Sequence, residues 1–280
     1  MFHIDNETIF INKNFNEELK IPSFIKNIIF ENCSKFNKSL NNLPNSIEKI
    51  VFEGASNFNQ PVDNLPLIKT FIMKPIAQNF NQTLDFLPLS LTELRIPSYY
   101  PLNNLPNLKK LTIDTQYDFS LNTLPYSIED LNIFNYTNDV LVLPKNIKKL
   151  TLGRFTNKIN IPEGLIKLKI NYGFNHQITL PHSLEKLEIG LPFNQNINFN
   201  NNLKKLILHQ SFEKNIVLPN SIKFLQIKNY SKLPSQLETL YFLGNDLHNL
   251  PQTLHTLKCL PNIKNIPTNI PNISYFEIEF

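Results

Sequence analysis

The sequence predicts an all-β-rich solenoid, a coil that lays down one short parallel strand per turn. Three observations carry this. A Leu-Pro or Ile-Pro dipeptide recurs from Pro22 to Pro267, an apolar triplet of the form Leu-x-x-Leu-x-Ile follows each copy within a few residues, and a Phe-Asn-x-x-Leu element then precedes the next dipeptide. Such a repeat governs every local reading, because a unit this small cannot bury its apolar face alone and becomes stable only when stacked on its neighbours.

The triplet comes first. Its initial residues fall at 25, 47, 68, 91, 108, 128, 147, 165, 184, 203, 222, 237, 254 and 273, a period of about 19 that is longer near the start. Clear copies are Ile47/Ile50/Phe52, Leu165/Leu168/Ile170 and Leu184/Leu187/Ile189. The second and third apolar residues stand two apart, which is strand spacing, so they share one face while the residue between them points away. One kind of return between successive strands makes the strands parallel, and such crossovers are right-handed with few exceptions.

The Phe-Asn element is next, as in Phe36-Asn37, Phe58-Asn59, Phe80-Asn81, Phe174-Asn175 and Phe193-Asn194, with Phe15-Asn16 already in register. Stacked turns would place the rings in an aromatic column, and the Asn side chain suits a bend where it can bond nearby backbone N–H groups, in a ladder if the turns align. The Leu-Pro dipeptide then turns the chain back, since Pro fixes φ and needs no ladder partner at a corner. In the one wide gap, from Pro181 to Pro219, an Asn replaces the Pro. About ten residues remain for the return, which leaves extended or 3₁₀ segments rather than a helix of several turns. A single repeat domain over 1–280 is expected, with 1–20 as an N-terminal capping turn, 21–272 as the repeats and 273–280 as a C-terminal capping strand, because open coil ends expose strand edges.

The succession Phe-Asn-x-x-[Ile/Val/Leu], Leu-Pro-Asn-Ser-Ile, Lys-x-Leu, seen at Leu43-Pro44-Asn45-Ser46-Ile47 and Leu218-Pro219-Asn220-Ser221-Ile222, resembles the FNIP repeat, a short relative of the leucine-rich repeat. The resemblance covers nearly the whole chain, with weaker copies at 89–104, 126–142 and 229–265. It implies a leucine-rich-repeat-like coil that binds proteins, of the kind found in social amoebae and in large DNA viruses of amoebae. There such repeats often follow an F-box or another module. Here the register begins almost at Met1, which leaves no room for an F-box and no expectation of a ubiquitin-ligase adaptor role.

Composition narrows the function classes. Six glycines against twenty prolines argue against a Gly-rich cofactor cradle, and the 42 asparagines read as an Asn/Lys/Ile/Phe background rather than chemistry. No run approaches the roughly 18 apolar residues of a membrane span, and Phe2 to Lys20 lacks the pattern of a signal peptide. Cys33 and Cys259 stand far apart and read as free thiols of a reducing compartment, so a cytoplasmic location is expected, in a host cell or a virion if the source is viral. His248, His255 and Cys259 lie on adjacent turns, yet Cys259 occupies the third apolar slot of its triplet and reads as core. No acid and base pair, cofactor cradle or metal spacing can be named, so no enzyme, metal or cofactor is expected.

Charge says more than any catalytic motif. Residues 143–209 carry a net +7, whereas 111–142 hold five acids and no Lys or Arg. Counted from each triplet, one slot holds Lys149, Lys167, Lys186 and Lys205 on four successive turns, so like charges should line up in a column, with Lys148, Lys169 and Lys204 beside it. Two unit charges at 4 Å in water repel by about 1 kcal/mol, which a solvated face tolerates, and Glu185 and Glu188 offset the column. Tyr99, Tyr100, Tyr117, Tyr136, Tyr172 and Tyr230 fall two to four residues after a strand's last core position, on a rim suited to an interface or to packing between turns. The expected function is a non-enzymatic protein-interaction scaffold that binds a protein partner, an acidic one among the options, through the extended sheet face. The alternatives are a polyanion or nucleic-acid partner on the lysine column, the nucleic acid disfavoured because those turns lack interleaved aromatics, and a structural coat or assembly component.

Overall fold

The computed structural model describes residues 2–74, 80–97, 102, 105–117, 124–136, 142–263, 266 and 268–276. These fall into two compact units, one of residues 2–136 and 142–147 and one from residue 148 onward.

The first unit contains β1 (Phe2–Asp5), β2 (Thr8–Ile11), β3 (Asn27–Phe30), β4 (Lys49–Phe52), β5 (Thr70–Met73), β6 (Glu93–Ile96), β7 (Lys110–Tyr117) and β8 (Asp130–Tyr136), hydrogen-bonded in chain order. β1 folds back antiparallel on β2 with Phe2 opposite Ile11, and every later pairing in the unit is parallel. The capping turn expected at the N-terminus is therefore a hairpin whose outer strand, β1, is exposed along its length. β2 already has the repeat's register, with Ile9 opposite Ile28 and Ile11 opposite Phe30.

The second unit contains β9 (Lys149–Arg154), β10 (Lys167–Tyr172), β11 (Lys186–Leu191), β12 (Lys205–Leu208), β13 (Phe224–Ile227), β14 (Thr239–Phe242), β15 (Thr256–Cys259) and β16 (Asn272–Tyr275), all parallel and in chain order. The final triplet corrects one sequence expectation. Ile273 pairs with Leu257, a second-slot residue, so the last triplet begins at Ile270 rather than at 273. The preceding return is shorter than the period suggests, and the apolar residue that fits the count best is not the one that enters the first slot. Of the expected capping strand, residues 277–280 lie outside the described residues.

Three bonding patterns explain why the repeat reads as it does. The first-slot N–H donates to the carbonyl three residues back, which is the Pro of the dipeptide in most turns, as from Ile47 to Pro44 at 3.1 Å and from Leu184 to Pro181 at 3.2 Å. The returns are thus extended stretches closed by one tight turn, and no helix or 3₁₀ segment occurs among the described residues. The residue before the first slot is often Ser because its hydroxyl donates to the first-slot carbonyl of the preceding turn: Ser46 to Ile25, Ser90 to Ile68, Ser183 to Leu165 and Ser221 to Leu203, all at 2.7–2.8 Å. Where Asn200 stands in the Pro position its buried amide donates to the carbonyls of Pro181 and Leu184 at 2.6 and 3.2 Å, and its oxygen accepts the N–H of Asn202 at 2.8 Å. A side chain there supplies the bracing that Pro supplies by rigidity.

The asparagine ladder forms as expected. Asn37, Asn59 and Asn81 each donate their backbone N–H to the Oδ1 of the Asn one turn earlier at 2.8–3.0 Å in the first unit, and Asn194 and Glu213 do so at 2.9 and 3.0 Å in the second. The ring before each Asn turns inward. Phe15, Phe36, Phe58 and Phe80 stack with centroids 6.0–6.4 Å apart, and Phe155, Phe174, Phe193 and Phe212 at 5.9–6.1 Å, within the range for offset stacking. In the first unit Phe30 and Phe52 stack at 4.3 Å and pack against the same column.

Candidate binding face

In β9 to β15 the triplet residues face the core and the slots between them face outward, so the outward columns follow from the pairing register. In the second unit one column reads Lys149, Lys167, Lys186, Lys205, Phe224, Thr239, Thr256 and Asn272 from β9 to β16. The neighbouring column reads Thr151, Lys169, Glu188, Ile207, Gln226, Tyr241, Lys258 and Ser274. The four lysines counted from the sequence are directly opposite one another, at the roughly 4.8 Å spacing of adjacent strands.

Their neighbours are treated differently. Lys169 Nζ pairs with Glu188 at 2.6 Å and Lys204 Nζ with Glu185 at 3.0 Å, so two of the flanking lysines are spent on ion pairs along the sheet. Lys223 pairs with Glu238 at 2.7 Å in continuation of the Lys204 column, and that contact holds the Glu238 carboxyl below its usual range. The Lys204 column thus mixes signs, with Lys148, Ile166, Glu185, Lys204, Lys223 and Glu238 on successive turns. The column beside it places no carboxylate within ion-pair distance of Lys167 or Lys186 among the described residues. Lys148 and Lys149 are exposed at its start.

The tyrosine rim divides. Tyr99 and Tyr100 lie outside the described residues. Tyr117 pairs through its backbone with Tyr136, and the Tyr136 side chain is 3% exposed, which removes it as a surface contact because burial between turns satisfies its ring. Tyr172 is exposed. Tyr230 takes a place near the aromatic column, 5.5 Å from Phe242, and exchanges hydrogen bonds with His248: its hydroxyl donates to the His248 carbonyl at 2.8 Å and accepts the His248 N–H at 2.9 Å. Burial pushes the Tyr230 phenol up from its ordinary pKa.

Sequence reasoning passed over four residues that the register assembles next to the lysines. Lys205 Nζ sits 4.3 Å from the centroid of the Phe224 ring, Phe224 lies 4.9 Å from Tyr241, and Lys258 Nζ sits 5.8 Å from Tyr241 and 4.9 Å from Phe276. Phe276 meets Tyr241 edge-on at 6.1 Å. The signal was available: continuing the slot count one turn beyond Lys205 reaches Phe224. Tyr241 and Phe276 belong to other slots and meet it only across strands.

The thiols and histidines assemble nothing comparable. Cys259 is fully buried in its core slot and burial pushes its thiol pKa up, Cys33 is exposed, and His248 stacks on Tyr230 at 4.6 Å. No cluster of His, Cys, Asp or Glu able to hold a metal ion, and no helix long and apolar enough to cross a membrane, occurs among the described residues. An open groove runs along the returns between Asn196–Phe199 and Asn215–Val217, and its lining carries no acid, base or thiol.

Residues 155–191 match the family model described as FNIP Repeat, and the turns on either side carry the same slots. No curated protein matches the chain. Among solved structures it is similar to CroV588, described as a novel circular LRR protein structure, with a TM-score of 0.65 and 25% identity over 95% of this chain and 52% of that one; the chain spans about half the length of that relative. YopM from Yersinia enterocolitica WA-314 aligns over 95% of this chain and 78% of its own with 17% identity and a TM-score of 0.48. The fold is that of a leucine-rich-repeat-like coil with a parallel sheet.

Proposed function

We propose that the protein is a non-enzymatic interaction scaffold whose outward sheet face, on β9 to β12, docks an acidic surface of a protein partner. One observation carries the reading. Lys167 and Lys186 are held opposite each other by the strand register, within a column of four lysines, while the adjacent column mixes signs and pairs Lys204 with Glu185 and Lys223 with Glu238. Solubility alone would be served as well by mixed signs. Lys167 and Lys186 keep unneutralised charge on a rigid sheet, where a carboxylate surface relieves their repulsion on docking and gains long-range steering. The leucine-rich-repeat-like coil supports the same reading, because stacked turns present many side chains on one extended surface and suit flat or elongated partners.

The test uses the whole chain, poly-L-glutamate as the probe, and the charge-reversed variant Lys167→Glu/Lys186→Glu. The wild type should retain the probe at low salt and release it as salt rises toward about 0.5 M, where screening shortens to a few ångströms. The variant should lose retention and keep its thermal unfolding midpoint. Equal retention by both proteins, or indifference to salt, overturns the reading and assigns the column to solubility.

A further inference from the structure

The lysine column ends against aromatic rings. Lys205 Nζ lies over the Phe224 ring, and Phe224, Tyr241 and Phe276 form a half-buried cluster on the outward face of β13 to β16, with Lys258 set between Tyr241 and Phe276. Ile207, also facing outward, adjoins it through its pairing with Gln226 on the next strand. Large apolar groups on a solvent-facing sheet surface are costly to hydrate, and here they continue a strip of positive charge without a break.

We infer that this cluster is an anchor pocket for the same partner: the docked segment carries an apolar or aromatic side chain that seats on Phe224 and Tyr241, while its carboxylates lie over Lys186 and Lys167. The inference rests on the lysine column being a docking face. Two geometric facts select a protein segment over single-stranded nucleic acid. Successive bases stack on flat, open ring faces. Phe224 has its face taken by the Lys205 ammonium at 4.3 Å, and the ring planes meet at 59° between Phe224 and Tyr241 and at 86° between Tyr241 and Phe276. Rings set at such angles form a shallow cup that surrounds one side chain instead of a platform for parallel bases. The two ammonium groups polarise the rim toward an anionic chain.

Strand spacing sets the partner's own spacing. From Lys186 to Phe224 is two strand steps and from Lys167 to Tyr241 is four, about 10 to 19 Å, which an extended chain covers in about three to six residues. An acidic run with a large apolar residue three to six positions away is the sequence pattern this face would accept.

The experiment measures fluorescence anisotropy of labelled peptides with the full chain. One peptide has a run of glutamates, a Gly-Ser-Gly spacer and a phenylalanine; a second ends in alanine, and a third lengthens the flexible spacer to about fifteen residues, which dilutes the phenylalanine about tenfold at the anchor. The phenylalanine peptide should bind about tenfold more tightly than the other two. The difference should vanish in Phe224→Ala/Tyr241→Ala while the salt dependence persists. Equal, salt-sensitive binding of all three peptides overturns the anchor and leaves the lysine face standing. No binding by any of them removes the docking face as well. A fluorescent oligothymidylate that binds more tightly than the peptides, and loses binding in the same variant, overturns the inference in favour of nucleic acid. Because the alanine peptide tests the anchor without altering the protein, a variant that folds poorly does not blunt the result.

Discussion

The Oδ1 of Asn175 accepts the backbone N–H of Asn194, nineteen residues later, at 2.9 Å, and the Gln195 amide reaches the same oxygen at 3.1 Å. One side chain thus satisfies two donors of the next turn, at a bend where no strand partner is available. Asn175→Ala should lower stability by about 1 kcal/mol, whereas Asn175→Asp, which keeps the acceptor, should cost less. Urea unfolding of the two variants checks this, and equal losses would mean that the amide nitrogen matters more than the oxygen.

Phe174 should matter more than any polar group of the ladder. Its ring is 1% exposed and lies between Phe155 and Phe193 at 6.1 and 5.9 Å. Phe174→Ala should cost about 3–5 kcal/mol, because it removes the ring's burial and leaves a void that stacked turns cannot close. Phe174→Leu should retain most of the apolar volume and lose less. Calorimetric midpoints of both variants give the ordering, and an unchanged midpoint for the alanine variant would place the ring outside the stabilising core.

Arg95 and Asp114 should respond unequally to truncation. Arg95 Nε and Nη2 donate to the two carboxylate oxygens of Asp114 at 2.7 and 2.9 Å, but the Asp114 side chain is 2% exposed and that of Arg95 29%. Arg95→Ala strands a buried carboxylate and should cost about 3 kcal/mol. In Asp114→Ala the guanidinium can still reach water, so the expected loss is about 1–2 kcal/mol. Denaturation of the two single variants reports the asymmetry, and the reverse order would mean that the carboxylate finds solvent.

The two thiols should differ in reactivity. Cys33 is exposed, while Cys259 is buried and its thiol pKa is raised by that burial. At neutral pH a thiol reagent should modify Cys33 quickly and Cys259 only on unfolding. Because the raised pKa belongs to the folded state, its contribution to stability is fully present below the unfolded thiol value and falls as pH climbs past it through the folded value. Cys259→Ala should therefore flatten part of the loss of stability in alkaline solution, measured as the unfolding midpoint against pH.

The amino-acid sequence by itself determined the architecture and its register. The period, the two-residue spacing within the triplet and the recurring Phe, Asn and Pro positions together have one arrangement that buries the apolar residues, so Lys149, Lys167, Lys186 and Lys205 could be placed in one column by counting. Tertiary structure decided what counting cannot reach. The last triplet starts at Ile270 because pairing with β15, not average period, sets its register. Tyr136 is buried and Tyr172 exposed, although both count as rim tyrosines: Tyr136 falls three residues after its last core residue Ile133, as the buried Phe155 falls after Leu152, whereas Tyr172 falls two after Ile170. Lys169 and Lys204 found carboxylates on the adjacent turns, whereas Lys167 and Lys186 are opposite each other and found none. Phe224, Tyr241 and Phe276 occupy different slots on different turns, and only the lateral approach of side chains across neighbouring strands brings them into one cluster beside Lys205.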